Sequence, residues 1–214
     1  GRVMLASPRT EASRSLGPIA SVADYETAVR AAFPGQGEAI LAKYLARTPD
    51  EARRAARDIE RDSTLGRQMD GWARAQAANG KTPAFGYFFT RTQPYRAGVT
   101  FADHDPATVG AYHTGDVPYW LGTLDSLNRF RVTRDWIAAD WALSEAMMGR
   151  LLAFARTGSP GADWPRYDPA RARLMRMDVE RGVIDWPNAA ALPLLGESVA
   201  PQASPPANAP RVRD

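Results

Sequence analysis

The segment 83–90, which reads PAFGYFFT, places the strongest constraint on the fold of this 214-residue chain. It is short, rich in aromatic residues and apolar on both of its alternating faces. A strand of this kind is typical of the middle of a sheet whose two faces are covered by helices. The apolar run 3–6, closed by Ser7 and Pro8, predicts a second buried strand, and 174–177 predicts a short third one.

Helix start and stop signals divide much of the remaining chain. Ser21 and Thr48 are predicted helix caps, because a short hydroxyl side chain accepts hydrogen bonds from the free N–H groups of the first turn. Thr133 is predicted to cap a third, long helix, and the charged residues 50–54 and 57–61 are expected to form a solvated face. The predicted helices cover residues 22–33, 39–46, 49–62, 69–78 and 134–156.

The charge and composition of the chain exclude several classes of protein. The net charge is only +3, and the 24 acidic residues are interleaved with the 27 basic ones, so no basic stripe is offered to a nucleic acid. There is no cysteine, which excludes disulfides, thiolate metal sites and a cysteine nucleophile. No apolar run approaches the ~20 residues that cross a bilayer, and any signal peptide would lie upstream of this sequence.

His104 and His113 are the two histidines of the chain, and both follow the strand predicted at 83–90. Ligands of an open α/β sheet collect beyond the carboxyl ends of its strands, and an imidazole readily exchanges a proton near neutral pH. A histidine in a surface loop is the alternative interpretation, which the residues alone favour. No compact metal-ligand spacing, Gly-x-Ser-x-Gly elbow or phosphate-binding loop accompanies these histidines.

The stretch 110–122, GAYHTGDVPYWLG, resembles the histidine motif of the type B carboxylesterases. That motif runs Gly-Ala-aromatic-His-Gly-x-Glu-Leu-Pro-Tyr-x-Phe-Gly. Thr114 stands here in the place of a glycine, and Asp116 stands in the place of the glutamate. The segment 3–13 is similar, more weakly, to the strand and acid loop of the same family. Further stretches that resemble the family are 143–148 (LSEAMM), 154–160 (FARTGSP) and 164–169 (WPRYDP), so that the resemblance spans residues 3–187.

The resemblance implies an α/β-hydrolase fold, with a mostly parallel sheet flanked by helices. The chain would be the C-terminal part of that fold and incomplete without the N-terminal part. His113 would be the general base and acid, and Glu11 the acid that orients it. Asp103, Asp105 and Asp116 remain open as alternatives to Glu11. The catalytic serine and the oxyanion hole precede this region in the family, so an N-terminal portion is expected to supply both, within one polypeptide or as a separate one.

Residues Tyr119 and Trp120 are candidates for the acyl or alcohol pocket, although aromatic residues in such a loop are as often packing residues. His104 has no counterpart in the motif and is expected to have an ordinary loop role. Residues 1–199 are predicted to form the C-terminal part of the hydrolase domain, and the Pro- and Ala-rich residues 200–214 a flexible tail.

The expected function is hydrolysis of a small-molecule carboxylic ester by a serine nucleophile, with no cofactor and no metal. A catalytically inactive, esterase-like interaction module is the alternative from another class. An amidase or a lactonase of the same fold is not distinguished from an esterase by these residues. The expected partners are the ester substrate and the N-terminal portion of the enzyme, with no nucleic acid and no membrane span.

Overall fold

A computed structural model describes residues 16–102 and 104–196 of the chain. The strand predicted at 3–6, Glu11 and the tail predicted at 200–214 lie outside the described residues. The helices in the described part are α1 (Val22–Ala32), α2 (Gly37–Leu41), α3 (Pro49–Arg61), α4 (Arg67–Asn79), α5 (Val117–Leu121) and α6 (Ala138–Thr157), and its strands are β1 (Tyr87–Phe89), β2 (Arg173–Met177) and β3 (Gly182–Asp185). A π-helical turn, Asp62–Gly66, joins α3 to α4, and 3₁₀ turns cover Leu124–Asn128 and Ala189–Leu194.

Three of the predicted helix signals before β1, at Ser21, Thr48 and Gly80, lie where the described helices begin or end, whereas the helix predicted at 39–46 is the shorter α2, which ends at Leu41. The Ser21 hydroxyl accepts a hydrogen bond from the Asp24 N–H at 3.0 Å, at the start of α1. At the start of α3, the Glu51 N–H donates to the Thr48 hydroxyl and the Glu51 carboxylate accepts from the Thr48 N–H, each at 3.2 Å. Gly80 ends α4 in the left-handed conformation that favours glycine. The predicted caps of these helices are therefore confirmed.

The predicted start of the last long helix is wrong. Helix α6 begins at Ala138, and Thr133 does not cap it. The Thr133 hydroxyl donates instead to the Leu127 carbonyl at 3.0 Å, and Arg134 pairs with Tyr95 in an isolated antiparallel bridge. These contacts hold the backbone before α6 in an extended conformation.

The solvated face expected on α3 is interrupted at Arg61, which is only 9% exposed. Its guanidinium donates to Asp62 at 2.6 and 2.8 Å and to Asp58 at 2.6 Å. Asp62 is itself buried and also accepts from the Tyr44 hydroxyl at 2.8 Å. A charged residue can be buried at this position because its donors are paired with carboxylates.

The strands form one mixed sheet in the order β1–β2–β3. β1 is parallel to β2, with Tyr87 opposite Met175, and β2 is antiparallel to β3. The strand predicted at 83–90 is confirmed as the shorter β1, because only its last residues pair with β2. The short strand predicted at 174–177 is confirmed as β2, whereas β3 was not predicted from its four residues.

Helices cover both faces of this sheet, as the two-faced apolar pattern predicts. Tyr87 and Phe89 point into a core shared with α5 and α6. Phe88 and Leu174 point to the opposite side, where they join a core that includes Ala73 of α4. A separate core packs α1, α2 and α3 together. No helix of the described ranges has both the length and the apolar character needed to cross a membrane.

Candidate active site

His113 lies on a tight turn between β1 and α5. The Gly115 N–H donates to the Tyr112 carbonyl at 3.0 Å, which places His113 and Thr114 at the two central positions of the turn. The His113 side chain is exposed. The backbone therefore presents the imidazole outward from a closed turn.

Thr114 occupies a backbone conformation that favours glycine. Its φ angle is +68°, as required at the third position of a type II turn. For a β-branched residue this left-handed conformation costs roughly 1–2 kcal/mol. The requirement explains why the resembling motif has glycine where this chain has threonine.

Gly122, at the end of the motif, brings α5 against α6. It ends α5 with a φ angle of +66°, and a Cβ atom there would collide with the sulfur of Met148. Any other residue here would adopt a strained left-handed conformation and would displace the Met148 side chain. Gly122 therefore fixes the end of α5, the helix that follows His113.

Asp116 connects the start of α5 to β1. It is 4% exposed, and its Oδ2 accepts a hydrogen bond from the Tyr87 hydroxyl at 2.6 Å. Burial, and then the nearby Asp116 carboxylate, raise the pKa of Tyr87, so the phenol remains a neutral donor. This bond anchors the start of α5 to β1. The Asp116 carboxylate is thus bonded to Tyr87 and not to His113.

An open groove of about 340 Å³ lies beside the turn. Its wall is mostly apolar, and His113 stands at one side of it. Trp120 lies on the wall and contacts the Tyr87 ring edge-on, with ring centroids 5.2 Å apart. The residues that line the groove are Tyr87, His113, Thr114, Asp116, Val117, Trp120, Leu121 and Leu151.

Tyr119, the other predicted pocket residue, does not line this groove. Its side chain is fully buried, and its hydroxyl donates to Asp140 at 2.8 Å. Asp140 also accepts from Arg91 at 2.7 and 3.1 Å. Burial, and then the bond to Asp140, raise the pKa of Tyr119. These contacts identify Tyr119 as a packing residue that ties α5 to α6.

The acid that would orient His113 is not identified by these contacts. Glu11 and Asp103 lie outside the described residues. Asp105 accepts from the Ala107 N–H at 2.9 Å within its own turn, and Asp116 is bonded to Tyr87. Among residues 16–102 and 104–196, no carboxylate is hydrogen-bonded to His113. The assignment of Glu11 stays a prediction.

His104 is packed behind the turn rather than on the groove. Its ring stacks on Phe101, with centroids 4.3 Å apart and planes 20° apart, and it lies 6.2 Å from the Tyr112 ring. Its place in a loop agrees with the sequence, but its role in an aromatic cluster was not predicted.

Two further residues at the turn were missed by sequence reasoning. Gln93 and Arg134 are both buried, and they contact each other and the residues on either side of His113. Gln93 lies in an irregular loop, and Arg134 was interpreted as the first residue of a helix. No spacing in the sequence connects two residues that are 41 positions apart.

The family to which this site belongs is identified by comparison with known protein families. The model of the carboxylesterase family matches residues 8–192, which include the His113 turn, the groove and all three strands. The chain belongs to the carboxylesterase family. A search of curated proteins returned no match.

Membership of the carboxylesterase family implies the α/β-hydrolase fold and, in general, the hydrolysis of carboxylic esters. The small mixed sheet with helices on both faces is compatible with this fold. Trp164, within the matched region, donates from its indole N–H to the Gly86 carbonyl at 3.0 Å. This bond attaches the stretch 164–169, which resembles the family, to the residue that precedes β1.

Proposed function

We propose that this chain carries the histidine of a serine carboxylesterase, with His113 as the general base and acid. The observation that supports this role most directly is the exposed His113 imidazole on a closed turn, beside an apolar groove, in a chain of the carboxylesterase family. A general base must be able to reach both the group from which it takes a proton and the group to which it gives one. It must therefore not be held in other hydrogen bonds.

In the proposed reaction His113 takes the proton from a serine hydroxyl as the serine oxygen attacks the ester carbonyl. The same proton passes to the departing alkoxide when the acyl–enzyme forms. In the second half of the reaction His113 takes a proton from water and returns it to the serine. Glu11 would accept a hydrogen bond from the Nδ1–H of His113 and stabilise the imidazolium.

The serine and the oxyanion hole are proposed to come from the N-terminal portion of the enzyme, which makes the hydrolase domain complete. The groove supports this arrangement because Val117 and Leu121, on its wall, are 43% and 60% exposed. Residues 1–199 would be the C-terminal part of that domain, with 200–214 as a tail. Trp120 would contact an apolar acyl or alcohol group of the substrate.

The test compares His113→Ala and His104→Phe in the full-length protein that contains this sequence. We expect His113→Ala to lower kcat on a p-nitrophenyl ester by at least about 10³-fold, the scale for loss of a triad member. His104→Phe keeps an aromatic ring against Phe101 and should leave kcat nearly unchanged. A fluorophosphonate probe should label a serine in the wild-type protein and in His104→Phe, but only slowly in His113→Ala.

Two results would contradict the proposed function. Equal losses from both substitutions would show that His113 has no special role. A folded wild-type protein that neither hydrolyses esters nor reacts with the fluorophosphonate would be an inactive, esterase-like interaction module.

A further inference from the structure

We propose that Gln93, held in one orientation by Arg134, is the positioning residue of the His113 turn. This inference rests on the proposed function of His113. It assigns a role in the reaction to two buried residues that do not line the groove.

A single amide group joins both sides of the turn. The Gln93 Nε2 donates to the Gly115 carbonyl at 3.0 Å, two residues after His113. The Gln93 Oε1 accepts from the Tyr112 hydroxyl at 3.1 Å, on the residue before His113. Gln93 is 2% exposed, so water does not compete for these bonds. The turn is thereby fixed to the chain that leaves β1.

Arg134 determines which way the Gln93 amide points. Its Nε donates to the Gln93 Oε1 at 2.9 Å, and its Nη1 donates to the Thr133 hydroxyl at 2.8 Å. The guanidinium also lies over the rings of Tyr95 and Phe101, 4.5 and 5.2 Å from their centroids. Because the Arg134 cation attracts the amide oxygen of Gln93, the amide NH₂ group points to the Gly115 carbonyl.

The positively charged guanidinium of Arg134 contacts groups that carry no charge. Within the described part of the chain, its partners are an amide oxygen, two hydroxyls and two aromatic rings, and no carboxylate is among them. A guanidinium is attracted to the π faces of aromatic rings. A glutamate at position 93 would therefore still bind Arg134, although it could not donate to Gly115.

The turn needs such support because its own backbone is unfavourable. Thr114 holds a left-handed conformation, and one main-chain hydrogen bond closes the turn. A displacement of about 1 Å in a catalytic group can cost about 10²-fold in rate. Gln93 lies behind the turn, so its loss should affect the rate of the chemical step more than substrate binding.

The experiment uses Gln93→Glu in the full-length protein. The two side chains have the same shape, but the glutamate replaces the donor to the Gly115 carbonyl with an oxygen, which repels it. We expect kcat on a p-nitrophenyl ester to fall by about 10–100-fold with KM little changed. Tyr112→Phe removes the bond to the Gln93 Oε1 and the longer contact with Arg134, but it keeps the bond from Gln93 to the Gly115 carbonyl, so it should cause a smaller fall in kcat.

The matched control is Tyr44→Phe, which removes a buried side-chain hydrogen bond to Asp62 in the helical part of the chain. It should lower the melting temperature through the loss of that bond and leave kcat unchanged. The imidazole Hε1 resonance of His113, assigned by its loss in His113→Ala, should shift in Gln93→Glu and not in Tyr44→Phe.

The outcomes separate this inference from the proposed function. If His113→Ala abolishes activity while Gln93→Glu changes neither kcat nor the His113 resonance, Gln93 is only a structural residue. If His113→Ala retains full activity, the proposed function fails, and the His113 resonance alone still decides whether Gln93 positions the turn.

Discussion

The helix caps of the helical region, residues 16–79, and the hydrogen bonds of the site region, residues 90–135, differ in how far they reach along the chain. The cap of α3 joins Thr48 and Glu51, which are three residues apart. In the site region, Gln93 binds Gly115 and Arg134, 22 and 41 residues away. A helix end with a local cap forms according to its local sequence, whereas the His113 turn takes its shape only after distant segments have met.

The largest expected effect tests whether the two regions are independent. Asp62→Ala removes the carboxylate that pairs with the buried Arg61 and accepts from Tyr44. We expect it to lower the free energy of unfolding by about 3–5 kcal/mol, because a buried charge loses its main partner. Urea denaturation measures the loss, and kcat per folded molecule should not change.

Asp62→Asn is the control, since it keeps an acceptor for Tyr44 and should cost less stability. A fall in kcat of folded Asp62→Ala molecules would show that the helical region and the site region are coupled. The contact between the Arg61 guanidinium and the Phe88 ring, 5.3 Å apart, is the route by which this would occur.

A smaller effect is expected at the local cap of α3. Thr48→Ala removes the acceptor for the Glu51 N–H, which typically costs about 1 kcal/mol of stability. Thermal unfolding should show the loss, with unchanged kcat. Thr64→Ala, whose hydroxyl only donates back to the Glu60 and Arg61 carbonyls, should change the melting temperature little. An equal loss from both substitutions would remove the case for a specific cap.

The smallest expected effect has the opposite sign and lies in the site region. Thr114→Gly relieves a left-handed threonine but adds backbone entropy to the unfolded chain, so we expect a net gain of about 0.5–1 kcal/mol. Chemical denaturation measures this gain. Thr108→Gly, at a position whose φ angle is not in the left-handed region, should instead lower stability. Equal losses from both substitutions would show that Thr114 is not strained.

The same contrast explains which features the sequence could predict. Ser21, Thr48 and Gly80 act on residues within one helical turn, so their patterns predicted the helix boundaries. His113 could be proposed from its motif, because the residues of the turn are consecutive. Arg134 was misinterpreted as helical, since its partners lie at Tyr95 and Gln93.

The burial of a charged side chain could also not be predicted from the local sequence. A pattern of arginines and acids on α3 predicts solvent exposure, and nothing in it distinguishes Arg61 from Arg53 and Arg54, which are exposed. The distinction depends on Tyr44 and on Asn188, which donates to Asp62 at 3.2 Å from 126 residues away. Tyr119 is similar, because its burial depends on Asp140 of α6.

Because of the π-helical turn between them, α3 and α4 pack against different cores. Ala73 comes fourteen positions after Ile59, and in an unbroken α-helix of 3.6 residues per turn the two would share nearly one face. The wider turn rotates α4, so that Ile59 faces the core of α1 to α3 while Ala73 faces the sheet. If the same residues were wound as one continuous α-helix, α4 would be turned by about 100°, and Ala73 would be turned away from the sheet that contains the strand leading to His113.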